Sequence, residues 1–216
     1  MDNDFTDNDL PVKRRRGRPP KLGGKLFQTR EMLLGVSMEA LTERGFSGVG
    51  IDAILRRADV PKGSFYNYFR SKEALGTELI ARFAAYVSLK MERCLADETL
   101  TPLRRLRVFT EDVRHGMVRE NFRYGCLVGK LAQEVNSLPG SFREQLAEVF
   151  AQWEERFAKG LKAARDAGEI SPALDCERAA AFFWFGWEGA LQRANLILRP
   201  EPIDIFLEEY FAGLVR

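Results

Sequence analysis

Residues 45–75 read GFSGVGIDAILRRADVPKGSFYNYFRSKEAL. Two short apolar-patterned segments stand on either side of Asp59-Val60-Pro61, a tight connection in which proline suits a turn or a first helical position. The spacing predicts a short helix at about 51–58 and another at 62–69. Ser71 before Lys72-Glu73-Ala74 is an N-cap signature for a longer helix reaching about residue 95. Ile51, Ile54 and Leu55 can pack the first short helix onto a core, and Ala58 is small where two helices cross. Phe65 and Phe69, four apart, share the inward face of the second. That leaves Lys62, Ser64, Tyr66, Asn67 and Tyr68 facing outward, and Gly63 removes a side chain where another backbone could approach.

Charge is unevenly distributed around this stretch. The chain carries 33 Lys+Arg against 31 Asp+Glu, a formal net charge of +2. Residues 1–12 hold four acids and no base, whereas residues 13–72 hold fourteen bases and five acids. A cationic module attached to a near-neutral body points to a polyanion partner for that module alone. Residues 1–24 run from acids through bases to Pro and Gly with few large apolar residues, and read as a disordered arm. Lys13-Arg14-Arg15-Arg16-Gly17-Arg18-Pro19-Pro20-Lys21 resembles an AT-hook, whose Arg-Gly-Arg-Pro core lies extended in a narrow minor groove. Arg14, Arg15, Arg16 and Arg18 are therefore DNA-binding candidates. A plain electrostatic tail remains the other reading of the same bases.

The remaining sequence is helical in pattern. Phe27, Leu34, Met38 and Leu41 share one face of a helix that stops at Gly45. Leu106, Phe109, Val113 and Met117 have helix spacing after Pro102. Gly125 to Val135 is a short helix, and Leu138-Pro139-Gly140 is a break. Ser141 then caps a long amphipathic helix with Phe142, Leu146, Val149, Phe150, Trp153, Phe157 and Leu161 on one side. Residues 175–197, containing AAAFFWFGWEGAL, form a helix apolar almost all round its middle, and a last helix runs from about 202 to 214. No segment alternates with period two, so the fold class is all-α: a three-helix N-terminal unit and a larger C-terminal helical unit. The organisation expected is an arm at 1–24, a DNA-reading domain at 25–75 and a second domain at 76–216.

Several function classes are disfavoured. With 45% apolar and 30% charged residues the chain has ordinary globular composition. No run approaches the roughly 20 apolar residues of a membrane helix, and the acidic start lacks the apolar run of a signal peptide. A cytoplasmic, nucleoid-associated protein without membrane contact is expected. Three cysteines, far apart, and a single histidine suggest neither a disulfide framework nor a metal site. No phosphate loop, nucleophile elbow or other catalytic set is visible, so no enzyme activity and no cofactor are expected.

The string Gly63-Ser64-Phe65-Tyr66-x-Tyr68-Phe69-x-Ser71-Lys72-Glu73-Ala74-Leu75 resembles the helix-turn-helix of TetR-family repressors. The resemblance implies that Lys62, Ser64, Tyr66, Asn67, Tyr68 and Lys72 meet operator DNA in the major groove and at its flanking phosphates. It also implies a homodimer and a C-terminal domain that senses a small molecule. The sequence departs from the commonest family pattern at Val49-Gly50, at Ala53-Ile54-Leu55 and at Asp59-Val60-Pro61. The usual hydroxyl contact to phosphate is missing there, and Ser47 is the nearest substitute.

A second block, Gly125-Cys126-Leu127-Val128-Gly129-Lys130-Leu131-Ala132-Gln133-Glu134-Val135, is similar to the sensor segment of TetR repressors that answer to reactive electrophiles and to acrylate. The resemblance implies an effector of that class, an unsaturated carboxylate or electrophile with acrylate foremost. Cys126 and Lys130 are four apart, so within one helix they share a face, and an ammonium beside a helix N-terminus stabilises a thiolate. Their plain alternative is a small buried residue and a surface charge. Trp184 is a third effector-site candidate, since an indole N–H can orient a polar ligand in an apolar cavity. His115, the single histidine, is the fourth, with a packed or solvent-facing role as its alternative. Phe150, Trp153, Trp184 and Trp187 give the long helices more apolar surface than one core needs, which an isologous dimer would cover. An architectural DNA-binding protein without an effector is the competing function, separated from a repressor by whether the C-terminal domain holds a pocket.

Overall fold

The computed structural model describes residues 22–215, so the arm with Arg14, Arg15, Arg16 and Arg18 lies outside the described residues. The described residues are all-helical, without a strand. Helix α1 (Leu22–Arg44) ends where the sequence requires. Gly45 takes a left-handed φ of 76° and its N–H bonds back to Leu41 O at 2.8 Å, a residue without Cβ closing the last turn. A Cβ there would also meet the Glu134 carboxylate at 1.6 Å, so the glycine serves close approach as well as conformation. Leu33, Leu34 and Leu41 are buried and Met38 packs beside them, but Phe27, expected on the same face, is 63% exposed.

Helix α2 (Ile51–Arg57) buries Ile54 and Leu55. The turn after it places Asp59 at φ 52°, a conformation aspartate tolerates, and the Val60 N–H closes onto Leu55 O at 2.9 Å. Where an α-helix at 62–69 is expected, the chain instead forms a 3-10 helix over Lys62–Asn67. The local sequence explains the difference. Gly, Ser, Phe, Tyr and Asn are weak helix formers, and a single turn between Pro61 and the extended Ser71 cannot recover the cost of nucleation. Phe65 and Phe69 still point inward, at 0% and 4% exposure.

Helix α3 (Lys72–Leu95) is capped by the Ser71 side chain, which accepts from Ala74 N at 3.0 Å. It runs unbroken past residue 75, so the smaller and larger helical units share one rigid rod. Arg82 grips Glu31 of α1 with two bonds of 2.6 and 2.8 Å, and Arg30 pairs with Glu78. Helices α4 (Pro102–Arg119), α5 (Leu127–Gln133), α6 (Gly140–Asp166), α7 (Cys176–Ile197) and α8 (Glu201–Val215) complete the body. Ser141 is not the cap of α6: that helix starts at Gly140, and Ser141 Oγ donates to Glu73 of α3 instead. Helix α6 is central, packing on α3, α4, α5 and α7 through Phe142, Leu146, Val149, Trp153, Phe157 and Leu161.

The dimer surface proposed for the tryptophans is corrected by their burial. Trp153, Trp184 and Trp187 are 1–3% exposed within one chain, and Trp153 stacks on Trp184 with centroids 5.0 Å apart. The exposed rings of α7 are Phe182 and Phe185, three residues apart on another face.

Candidate functional site

Two regions carry the candidate residues, and α5 lies between them. On the outer face of the N-terminal unit, Lys62, Tyr66 and Asn67 are exposed, while Ser64 and Tyr68 are half-buried and Tyr68 packs against the core. Lys62 bonds Asp52 at 3.0 Å, a pair exposed on both sides and so worth little to stability. A Cβ on Gly63 would meet nothing within 4 Å, so the surface around it is open.

Lys72, expected at a DNA phosphate, is half-buried at the start of α3. Its ammonium donates to Phe46 O at 2.6 Å and sits 4.1 Å from the Phe46 ring centroid. Burial pulls its pKa below the ordinary lysine value, against the opposing pull of Glu134. Helix α3 begins beside the α1–α2 turn, so a side chain at its first position meets that turn before it meets solvent. Lys72 fastens the junction of the two units.

In the C-terminal unit, α3, α4, α6 and α7 and the loop before α5 line a half-open cavity of about 220 Å³. This is below the roughly 300–1,000 Å³ of sites for drug-sized ligands and fits something smaller. Its wall is mainly aromatic and aliphatic, with Phe83 of α3, Phe109 and Met117 of α4, Trp153 of α6 and Trp184 and Trp187 of α7. Cys126 and Glu188 supply polar groups. Two buried polar atoms on this wall, Trp184 Nε1 and Glu188 Oε1, find no hydrogen-bond partner among the described residues. Burying such groups unpaired is costly, about 1–3 kcal/mol each.

Glu188 is the residue the sequence reading missed. Burial pushes its carboxyl up to about 7, a Cys126 thiol contact opposing the shift. The carboxyl lies so close to α5 that a Cβ on Gly129 would stand 1.7 Å from Glu188 Oε2. Glycine at 129 therefore lets α5 approach α7. The signal was present: one acid inside FFWFGWEGAL, on a helix otherwise apolar there.

Cys126 and Trp184 share this cavity; Lys130 and His115 do not reach it. Cys126 is the N-cap of α5, with φ −76° and ψ 118°, and its Sγ accepts from Gly129 N at 3.3 Å. Because it precedes the helix, the i,i+4 face rule does not join it to Lys130. The Lys130 ammonium donates to Glu43 O of α1 at 2.9 Å. Lys130 lines only an adjoining recess of about 50 Å³ with Cys126 and Glu188. The thiolate expectation is reversed as well. Burial, then the Glu188 charge, hold the Cys126 thiol well above its ordinary range, outweighing the bonds from Gly129 and Val128. His115 is exposed in an outer cleft with Arg114 and Asp204. The inward face of α4 is Phe109, Val113 and Met117, and two residues from Met117 is about 200° round a helix.

Helix α5 joins the two regions. Its first turn walls the cavity through Cys126. Two bonds and one close contact beyond that cap hold the end of α1 and the turn after it: Lys130 to Glu43 O, Glu134 Oε2 from Ser47 N at 2.9 Å, and the Glu134 carboxylate packed against Gly45. Ser47, the proposed substitute phosphate contact, is tied here by its backbone N–H. The loop entering α5 carries Asn121 and Phe122 at φ 51° and 56°. Asn195 of α7 holds Phe122 O in that unusual conformation.

Residues 33–79 match the family described as bacterial regulatory proteins, tetR family, and residues 102–210 match the tetracyclin repressor-like C-terminal domain. The chain belongs to the TetR family. It is 43% identical over 205 residues to the transcriptional regulator AcuR of Cereibacter sphaeroides, covering 95% of this chain and 93% of that one. It is 32% identical to the HTH-type transcriptional repressor DhaR of a Mycobacterium species, covering 86% and 92%. A crystal structure of a regulatory protein TetR from Rhodobacter sphaeroides superposes with a TM-score of 0.84 at 43% identity, covering 87% of this chain and 99% of that one. As a TetR-family member the chain is a DNA-binding transcription regulator. No helix among the described residues is long and apolar enough to cross a membrane.

Proposed function

We propose that this TetR-family chain is a homodimeric, cytoplasmic and nucleoid-associated repressor. It releases its operator when a small unsaturated carboxylate, acrylate first, or a related conjugated carbonyl enters the cavity. The observation that carries this reading is the cavity itself. A half-open, largely apolar space lined by Cys126 and Trp184 holds two buried polar atoms without partners among the described residues. A purely architectural DNA-binding protein has no use for such a space. On this reading Lys62, Ser64, Tyr66, Asn67 and Tyr68 face the major groove, and Arg14, Arg15, Arg16 and Arg18 reach the minor groove. Operator symmetry mirrors a two-fold dimer that covers Phe182 and Phe185.

The geometry supports a route for release. The recognition surfaces of a dimer must lie about one turn of DNA apart. Two walls of the cavity continue into the DNA-reading unit: α3, which carries Phe83 and Tyr86 as well as Lys72, and α5, which carries Cys126 at one end and the α1 bonds at the other. A ligand that moves either wall moves the recognition unit, and by linkage weakens DNA binding by its own coupling factor. The test is a melting-temperature screen with small unsaturated acids, aldehydes and their saturated counterparts. Acrylate is expected to raise the melting temperature, as a ligand preferring the native state must. No shift with any of them overturns the effector assignment.

A further inference from the structure

The cations that line the cavity, Lys90 and Arg119, each already face an acid. Lys130 is committed to the α1 carbonyl of Glu43. Lys90 of α3 is paired with Asp112 at 2.7 Å, and Arg119 of α4 stands at the rim, exposed and beside Glu120 at 3.4 Å. What the cavity does hold is a buried carboxyl and a buried indole N–H, both on α7 four residues apart and therefore on one helix face.

We propose that Glu188, carrying a proton, and the Trp184 indole N–H are the two donors that hold the effector's carboxylate, so that the anion enters together with one proton instead of meeting a fixed cation. This deepens the effector reading above and rests on it. A carboxylate accepts hydrogen bonds only, and a protonated carboxyl and an indole are both donors. Bonds in which one partner is ionised are about twice as strong as neutral ones, which suits a pocket with few polar groups. A neutral Glu188 also avoids two adjacent negative charges in a low-dielectric space.

The surroundings of Glu188 keep its proton in place. The titratable and charged groups that face it are Tyr86 and Lys90 from α3, Arg119 and Glu120 at the end of α4, Tyr124 and Cys126 from the following loop, and Lys130 in the recess. Helix α6 contributes only Trp153. Of these cations Lys90 and Lys130 are bound elsewhere, and Cys126 is itself held as a thiol. Burial dominates and pushes the carboxyl up to about 7.

The proposal is tested by calorimetric titration of the full-length protein with sodium acrylate, in buffers of different ionisation enthalpy, from about pH 6 to about pH 9. Below the Glu188 titration the proton is already in place, so Kd is flat and no proton is taken up. Above it, Kd rises about tenfold per pH unit and one proton enters per acrylate bound. In Glu188→Gln the amide still donates, so acrylate binds with a Kd independent of pH. In Trp184→Phe one donor is lost, so Kd rises while the pH slope persists. Undiminished binding without proton uptake in the wild type above the Glu188 titration, or an unchanged slope in Glu188→Gln, overturns the shared proton and leaves the effector reading standing. A wild type that binds no acrylate at any pH overturns both.

Discussion

The DNA-reading face and the sensor cavity use polar side chains in opposite ways. On the outer face Tyr66 is 70% exposed and Lys62 and Asn67 stand in solvent, over a core closed by Phe65 and Phe69. In the cavity Trp184 is buried and Glu188 and Cys126 are half-buried, and two buried polar atoms, Trp184 Nε1 and Glu188 Oε1, lack partners among the described residues. A surface that awaits a polyanion loses nothing by keeping its donors in water. A cavity that awaits a small molecule carries the desolvation cost beforehand and recovers it on binding. The first region should therefore tolerate substitution in stability and fail in affinity. The second should respond in stability, in pH dependence and in regulation.

The largest effect breaks the comparison from beneath the DNA face. Phe65→Ala removes a fully buried ring and should cost about 3–5 kcal/mol of stability, read as a lowered midpoint of chemical denaturation. If that midpoint stays within error of the wild type, the recognition turn is not anchored as described. Next is the cavity. Glu188 has a folded-state pKa raised from 4.5 to about 7. A raised acid pKa means that the folded state binds the extra proton. Its contribution is complete below about pH 4.5 and is lost progressively as pH rises to about 7, by roughly 3 kcal/mol in all. Wild-type stability should fall across that window, and Glu188→Gln should flatten the fall. Parallel profiles for the two proteins would remove Glu188 from the account.

Tyr66→Ala sharpens the contrast from the other side. Operator affinity should drop by about 1–3 kcal/mol in a gel-shift titration, with stability changed by less than about 0.5 kcal/mol. A stability loss as large as the affinity loss would place Tyr66 in the core. The smallest effect concerns the strut between the regions. Lys130→Met deletes one hydrogen bond to Glu43 O and should cost about 1 kcal/mol in stability. The concentration of effector needed for release should shift with it, because the bond lies between cavity and α1. A variant with normal release kills the α5 route and leaves α3 as the lever.

What could be read from sequence follows the same division. The two faces of the turn at 62–69 were legible because inward Phe65 and Phe69 and outward Tyr66 and Asn67 follow a local period, independent of what packs behind. Helix content, the stop at Gly45 and the break at Leu138-Pro139-Gly140 are local for the same reason. The cavity depends on non-local meetings. Cys126 and Lys130 looked paired because a helix boundary misplaced by one or two residues turns an N-cap into a helical position. Lys72 looked free because nothing near it in sequence reports the Phe46 carbonyl. The tryptophans of α6 and α7 looked like dimer surface because hydrophobicity does not say which neighbour covers a ring. Glu188 passed unremarked because an acid in an apolar helix gains meaning only when Gly129 of α5 is found against it.

The central claim is that cavity and DNA face are alternatives: filling one weakens the other. It is tested most directly by measuring the affinity of the full-length protein for a labelled operator fragment, by fluorescence anisotropy at fixed salt, with and without saturating acrylate. The reverse titration of acrylate into the operator complex is measured alongside. The account predicts that acrylate weakens operator binding by a factor of about 5–150, and that operator weakens acrylate binding by the same factor. Operator affinity unchanged at an acrylate concentration that has already raised the melting temperature would contradict it.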